Sequence, residues 1–196
     1  MSVSNNPWAK PVGANQGRIY PITATGDILT GGATDPTYDD GLLIGCLQTF
    51  QWDRDVLVVE TEGNDTICDV FKKTRKLTFE LGLSGVDLNL YEQFTGDTAV
   101  DFVGGSYIDL LSDSIPGEFG VIVRALNSAG GDTHIILWRA GANEGPGNGF
   151  EQGSAHDESW SGDALVSYYG DGSFGRIINH AAQTDVPAVW PGTTPY

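Results

Sequence analysis

The segment Thr74-Arg75-Lys76-Leu77-Thr78-Phe79-Glu80-Leu81 alternates polar side chains at 74, 76, 78 and 80 with apolar ones at 77, 79 and 81. Successive side chains of a β-strand point to opposite faces of a sheet, so this two-residue period predicts a strand with one buried face. It is the clearest strand signal in the chain, and it favours a β-rich fold.

Further strands are predicted on both sides of this segment, each bounded by turn-forming residues. They cover residues 42–52, 56–61, 66–71, 106–111, 120–127, 134–141, 158–169 and 175–178. Turns are expected at Asp53-Arg54-Asp55, at 62–65 and at 128–132. This succession, without a tandem repeat, predicts a mostly β protein with an antiparallel β-sandwich or barrel.

One short α-helix is predicted from about Gly85 to Thr95. The apolar residues of this stretch recur at spacings of four, one and three, which is the pattern of one helical face: Val86, Leu90, Tyr91 and Phe94. Ser84 is a suitable N-cap residue and Gly96 a suitable C-terminal stop.

The chain length of 196 residues suits a single domain with extensions. Residues 1–41 are dominated by Pro, Gly, Asn, Asp and Thr, which predicts an extended N-terminal arm. Residues 42–178 form the predicted β domain. Residues 179–196 form a predicted C-terminal tail, because Pro187, Pro191 and Pro195 do not suit the interior of a sheet.

The charge balance is strongly acidic, with 26 acidic and 10 basic residues and a formal net charge of −16. Such a surface repels phosphate groups, so tight binding to nucleic acid or to an anionic membrane is not expected. No stretch approaches 18 apolar residues, and the N-terminus lacks the pattern of a signal peptide. We therefore expect folding in a cytoplasm, with Cys46 and Cys68 as buried free thiols.

No catalytic, metal or cofactor site is predicted. His134, His156 and His180 each lack a second ligand at a metal-binding spacing. The run His156-Asp157-Glu158-Ser159-Trp160 contains a base, an acid and a nucleophile, but neighbours on a strand point to opposite faces. We therefore expect a protein that is not an enzyme. A β-sandwich that binds or cleaves carbohydrate stays an alternative, although Trp52, Trp138 and Trp160 are equally suited to a core or an interface.

The placement of charge suggests contacts between copies of the chain. Four of the ten basic residues fall within five positions, whereas residues 77–123 contain eight acidic residues and no basic one. A basic surface on one copy could meet an acidic surface on the next, which is a head-to-tail contact. The alternative is an ordinary solvated start of a strand. The candidate interface residues are Lys72, Lys73, Arg75, Lys76, Asp53, Arg54, Asp55, Glu60 and Glu62.

The strand at residues 74–83 and the helix that ends in Phe94-Thr95-Gly96 resemble a passage of the major tail tube proteins of long-tailed bacteriophages. The order around them also fits that family, in which an extended N-terminal region precedes a sheet with a long hairpin and a helix on one flank. The segment Gly120–Leu126, followed by 134–140, is similar to the later strand pair. The resemblance extends over about residues 42–178 and rests on pattern and size.

This resemblance implies a structural subunit of the virion tail. In that family, subunits form hexameric rings that stack into a tube, contact other tail proteins, and conduct viral DNA during ejection. An acidic bore would let the DNA slide without binding to the wall. Another virion component, such as a capsid decoration protein or a tail terminator, is an alternative with the same acidity and β content.

Overall fold

The structure is a computed structural model that describes residues 11–24, 37–63, 66–85, 87–144, 157–167 and 172–192. Within these ranges, side chains are described except at 11, 12, 24, 59–63, 66–73, 75 and 144. No helix in the described ranges has the length and apolar character needed to cross a membrane.

The described chain consists of eleven strands and one helix. In chain order they are β1 (Pro11–Ala24), β2 (Thr37–Tyr38), β3 (Leu42–Leu43), β4 (Leu47–Gly63), β5 (Thr66–Ser84), α1 (Leu88–Thr95), β6 (Ala99–Phe102), β7 (Gly105–Ile108), β8 (Glu118–Asn127), β9 (Asp132–Glu144), β10 (Asp157–Leu165) and β11 (Gly175–His180). Every strand pairing is antiparallel. The predicted mostly β fold with one short helix is confirmed.

The large sheet has the strand order β2-β1-β8-β9-β10-β5-β4, with β3 paired to β1 and β11 paired to β9. Although β1 and β4 are far apart in this order, they approach each other at Gly17. The Ile44 amide donates to the Gly17 carbonyl at 2.9 Å, and a Cβ on Gly17 would lie 3.1 Å from Leu47 Cδ2. The sheet therefore curls around an enclosed core.

The main core lies on the inner face of this curved sheet and under α1. The alternating segment at 74–81 behaves as predicted, since Leu77, Phe79 and Leu81 are all buried. The helix packs against the same core through Phe94, whose ring centroid lies 4.5 Å from that of Trp160 and 4.9 Å from that of Phe119. A helix that gains its stability from packing in this way can be as short as two turns.

A second apolar cluster lies on the outer face of β1, β8 and β9. Tyr20, Ile122, Ile136 and Trp138 are buried there beneath Val186. Val186 belongs to residues 181–192, which we name the C-terminal segment. This segment lies across the sheet and not within it, so its prolines cost no strand pairing.

The C-terminal segment is held by rings and hydrogen bonds. The Trp190 ring stacks on Tyr38 with a centroid distance of 4.1 Å. The Tyr20 hydroxyl donates to the Pro187 carbonyl, and the Gly41 amide donates to the Ala188 carbonyl at 2.7 Å. These contacts make the segment part of the folded body.

Residues 11–24 and 181–192, which fall within the predicted arm and tail, are thus packed against the rest of the described fold. Within residues 1–41, β1 is a long interior strand that pairs with β8, and its residues Ile19 and Tyr20 are fully buried on opposite faces. The sequence pattern did not reveal this strand, because its apolar residues are scattered. They show no two-residue period, since both faces of the strand are buried and only over a few positions.

Two local predictions need correction. Asp53-Arg54-Asp55 is not a turn but the middle of β4, because continuous pairing with β5 outweighs the turn preference of these residues. The N-cap of α1 is Asp87, whose side chain accepts from the Asn89 amide at 3.0 Å; Ser84 instead ends β5. The predicted stop at Gly96 is confirmed, with φ of 78° and its amide bonded to the Glu92 carbonyl.

Cys46 was predicted to be a buried thiol, but it is exposed. It lies in the short turn that joins β3 to β4 and has a φ of 50°, which is unusual for a residue with a side chain. The turn directs the Cys46 side chain toward solvent. The side chain of Cys68 lies outside the described part of the structure.

Candidate assembly surfaces

The β4–β5 hairpin extends beyond the rest of the sheet. β5 pairs with β10 only over Leu77–Ser84, whereas its pairing with β4 continues to Thr66 opposite Gly63. We name residues 55–63 and 66–76 the ribbon. At the usual rise per residue, its length is about 30 Å. A two-stranded ribbon buries little surface of its own, so its stability depends on what packs against it.

Three of the six described side chains of the ribbon are apolar, and they are exposed on both faces. Val56, Leu57 and Val58 are consecutive, so they point alternately to opposite sides, and their exposed fractions are 44%, 46% and 46%. Trp52, next to the ribbon on β4, is 40% exposed. Isolated apolar residues are common on surfaces, but a continuous apolar run on a projecting element is typical of a binding surface.

All nine candidate interface residues lie on this one hairpin. β4 carries Asp53, Arg54, Asp55, Glu60 and Glu62, and β5 carries Lys72, Lys73, Arg75 and Lys76. The strand pairing places Lys72 opposite Val58, Lys73 opposite Leu57, and Lys76 opposite Asp55, while Arg75 falls where the register shifts. The side chains of Glu60, Glu62, Lys72, Lys73 and Arg75 lie outside the described part of the structure.

The basic residues of the hairpin lie closer to the body than Glu60 and Glu62 do. Lys72, Lys73 and Lys76 pair with Val58, Leu57 and Asp55, whereas Glu60 and Glu62 pair with residues closer to the tip. Lys76 also forms an ion pair within its own chain, with its Nζ 2.9 Å from Asp163 Oδ2 on β10. This ion pair links the base of the ribbon to the body.

A second exposed surface, on which apolar and acidic side chains are interspersed, is formed by the β6–β7 hairpin and the following loop up to residue 117. We name it the acidic patch. Val103 is fully exposed and Ile115 is 84% exposed. The other exposed apolar members are Val100, Phe102, Tyr107, Leu110 and Leu111, and exposed carboxylates alternate with them at Asp101, Asp109 and Asp113.

Asp97 organises the loop of the acidic patch from beneath. Its Oδ1 accepts hydrogen bonds from the Ser114 hydroxyl and, at 3.1 Å, from the Leu111 amide. The Ser114 hydrogen bond is the main cause that holds the pKa of the Asp97 carboxyl below its usual range, and it outweighs the opposing effect of burial. An ionised Asp97 therefore fixes the loop that presents Leu110, Leu111 and Ile115.

The acidic run predicted at residues 77–123 has more than one role in the structure. Asp87 caps α1, Asp97 is buried, and Glu118 binds Arg139 Nε at 2.6 Å. The exposed carboxylates of Asp101, Asp109 and Asp113 remain for the acidic patch. The sequence analysis identified these charges. It did not identify the exposed apolar residues between them, because in the sequence alone they resemble the apolar residues of an ordinary strand.

The described part of the segment at 156–160 places its acid and its nucleophile in different surroundings. Glu158 is buried and accepts from the Trp160 indole N–H at 3.0 Å, whereas the Ser159 hydroxyl is exposed and donates to Glu80 at 2.6 Å. Glu158 and Ser159 therefore lie on opposite faces, as the strand pattern predicted. His156 lies outside the described residues.

The tryptophans are distributed between core and surface. Trp138 and Trp160 are buried in the two cores, as expected for anchors, and Trp52 is exposed beside the ribbon. Trp190 packs on Tyr38. These four do not form an exposed row of the kind that stacks on sugar rings.

Neither a scan against protein-family models nor a search of curated proteins found a match to this chain.

Proposed function

We propose that this chain is a structural protein that assembles head to tail with copies of itself, the ribbon of one copy docking on the acidic patch of the next. The observation that carries the proposal is the exposure of Val56, Leu57 and Val58 on a projecting two-stranded element. Burying them against another copy would remove apolar surface from water and stabilise the ribbon.

Charge complementarity selects the acidic patch as the docking surface. The basic residues next to Val56–Val58 are Lys72, Lys73, Arg75 and Lys76, in a chain whose net charge is −16. Asp101, Asp109 and Asp113 lie among the exposed apolar residues of the patch. Opposite charges around an apolar contact favour this orientation over ribbon against ribbon. A contact between two different surfaces either closes into a ring or continues as a filament.

We further propose that the assembly is the major tail tube of a long-tailed bacteriophage. The resemblance of residues 74–96 to that family supports this, together with the long β4–β5 hairpin and the helix on the flank of the sheet. On this proposal, six subunits form a ring, rings stack in the virion tail with other tail proteins, and viral DNA passes through the bore. The acidity of the chain would keep that DNA from adsorbing.

The test is negative-stain electron microscopy of the purified chain at rising concentration, with sedimentation velocity on the same samples. We expect rings of six with a central hole, and stacked tubes at higher concentration. Assembly into other closed shapes would support self-association but favour a capsid decoration protein or a tail terminator. A chain that stays monomeric up to millimolar concentration would contradict self-assembly through these surfaces.

A further inference from the structure

Strand pairing brings together three metal-ligating residues that are distant in sequence. β11 pairs with the first half of β9, in a register that places His180 opposite Asp132 and Ile178 opposite His134. Asp132 and His134 are two residues apart on β9, so they share a face. Asp132, His134 and His180 each offer one ligand atom, and these atoms all lie within 4.8 Å of one another.

The carboxylate of Asp132 is fully buried and only half used. Its Oδ2 accepts from Arg124 Nε at 2.9 Å and from the Thr184 amide at 2.5 Å. Its Oδ1 is also buried, and no donor among the described residues hydrogen-bonds to it. Burying a carboxylate oxygen that has no hydrogen-bond donor raises the free energy of the folded state. Asp132 Oδ1 lies 3.5 Å from His134 Nε2. It is directed toward the histidines.

The two imidazole rings complete the cluster. His134 is fully buried, and its ring centroid lies 4.6 Å from that of His180. Each of the two rings offers one nitrogen to the cluster. His134 Nε2 also lies 3.0 Å from the Thr184 carbonyl oxygen, which is a further potential ligand.

We propose that Asp132, His134 and His180 bind a divalent transition-metal ion, with Zn²⁺ as the best match, through one carboxylate oxygen and two imidazole nitrogens. Bonds of about 2.1 Å to such an ion place ligand atoms about 3.4 Å apart in a tetrahedral site. The described separations need only small side-chain movements to reach this. Two nitrogen ligands favour Zn²⁺, Co²⁺ or Ni²⁺ over Mg²⁺ and Ca²⁺, which prefer oxygen.

The surrounding charge permits a cation. Arg124 is the neighbouring positive group, but it pairs with two carboxylates, those of Asp132 and Asp185. The Oδ1 of Asp185 lies 3.0 Å from Arg124 Nη1. Asp132, Asp185 and Arg124 together therefore carry a net negative charge. A bound ion would join β9, β11 and, through Thr184, the start of the C-terminal segment.

The test uses the full chain after treatment with a chelator, at pH 7.5. Isothermal titration with ZnCl₂ should give one ion per chain, and excess Zn²⁺ should raise the Tm by about 5 °C or more once the ion exceeds its Kd 100-fold. Co²⁺ should give the visible absorption of a tetrahedral site. Mg²⁺ should produce neither a heat signal nor a shift in Tm.

Variants identify the ligands. His180→Gln should lower the Zn²⁺ affinity at least tenfold, and His134→Gln likewise, whereas His156→Gln, the matched control, should keep the affinity of the wild type. Because His180 is only partly buried, His180→Gln is the variant expected to fold normally, which far-UV circular dichroism can check. Undiminished binding in both ligand variants, or no stoichiometric binding by the wild type, would overturn the proposal.

Whether the chain binds zinc does not depend on whether it self-assembles. The same titration on the Leu57→Ser/Val58→Ser variant, whose changes lie on the ribbon, should give the same affinity. Failure of zinc binding in a chain that forms rings would reject only the metal site, and zinc binding by a chain that stays monomeric would reject only the assembly proposal.

Discussion

Arg124 Nε lies 2.9 Å from Asp132 Oδ2, and the two side chains are 9% and 0% exposed. This ion pair joins β8 to β9 inside the protein, and Arg124 extends it to Asp185 in the C-terminal segment. It therefore ties the sheet to the segment that covers its outer face. Removing one partner would leave the other as an uncompensated buried charge, which lowers the free energy of unfolding.

We expect Arg124→Met to destabilise the chain by about 3–5 kcal/mol, because it leaves the Asp132 charge buried without its partner. Urea unfolding followed by tryptophan fluorescence measures this. Lys76→Met is the matched control, since its pair with Asp163 is more exposed, with side chains that are 46% and 24% exposed. Removing that pair should cost at most about 1 kcal/mol. Equal, small losses in both variants would contradict a structural role for the Arg124 pair.

Trp190→Ala tests the packing of the C-terminal segment. Trp190 stacks on Tyr38 and meets Tyr20 edge-on, with ring centroids 5.0 Å apart. Because Trp190 is only partly buried, we expect a loss of about 2–3 kcal/mol in the free energy of unfolding. Val189→Ala, one residue earlier and 63% exposed, should change it by less than about 0.5 kcal/mol. If both variants unfold at the same urea concentration, the segment does not contribute as described.

The stability of the metal-free chain should fall as the pH decreases below about 7. Burial is the largest cause that lowers the pKa of His134 from 6.5; the nearby His180 acts in the same direction, while Asp132 and the Thr184 carbonyl oppose it. The unfolded chain therefore binds a proton at a pH where the folded chain does not, and protonation favours unfolding. His134→Gln should flatten the dependence of the urea midpoint on pH between 7.5 and 5.5. An equally steep dependence in the variant would contradict this.

How much of this could be predicted from sequence depends on whether the information is local. The period at 74–81 and the glycine at 96 are local signals, and both predictions are confirmed. Pairing between distant strands is not local. Because of this pairing, Asp53-Arg54-Asp55 lies in a strand and not in a turn. Pairing also places His180 beside Asp132, although the histidines show no metal-binding spacing in the sequence. Exposure is likewise a property of the folded sheet, so the sequence alone does not reveal that Val56 and Val103 are exposed.

Leu57→Ser/Val58→Ser should abolish assembly and leave the monomer folded. Both side chains are nearly half exposed, so the loss in monomer stability should be below about 1 kcal/mol, whereas an interface would lose its central apolar contact. Sedimentation velocity measures the association. Val189→Ser, an exposed apolar position outside both proposed surfaces, is the control and should assemble like the wild type. Assembly that persists in the double variant would exclude the ribbon as the docking element.

Charge reversal tests whether the contact is head to tail. On the proposed contact, Lys72→Glu/Lys73→Glu brings acidic residues to the acidic patch of the next copy, so the concentration needed for assembly should rise at least about tenfold. Asp101→Lys/Asp109→Lys should do the same from the other side. The chain with all four changes pairs opposite charges again and should recover assembly. Asp39→Lys/Asp40→Lys, two exposed aspartates outside both surfaces, controls for the change in net charge in the Asp101→Lys/Asp109→Lys variant. If the fourfold variant stays monomeric while the control assembles, the ribbon and the acidic patch do not meet. If reversal on either side has no effect, the contact does not depend on these charges.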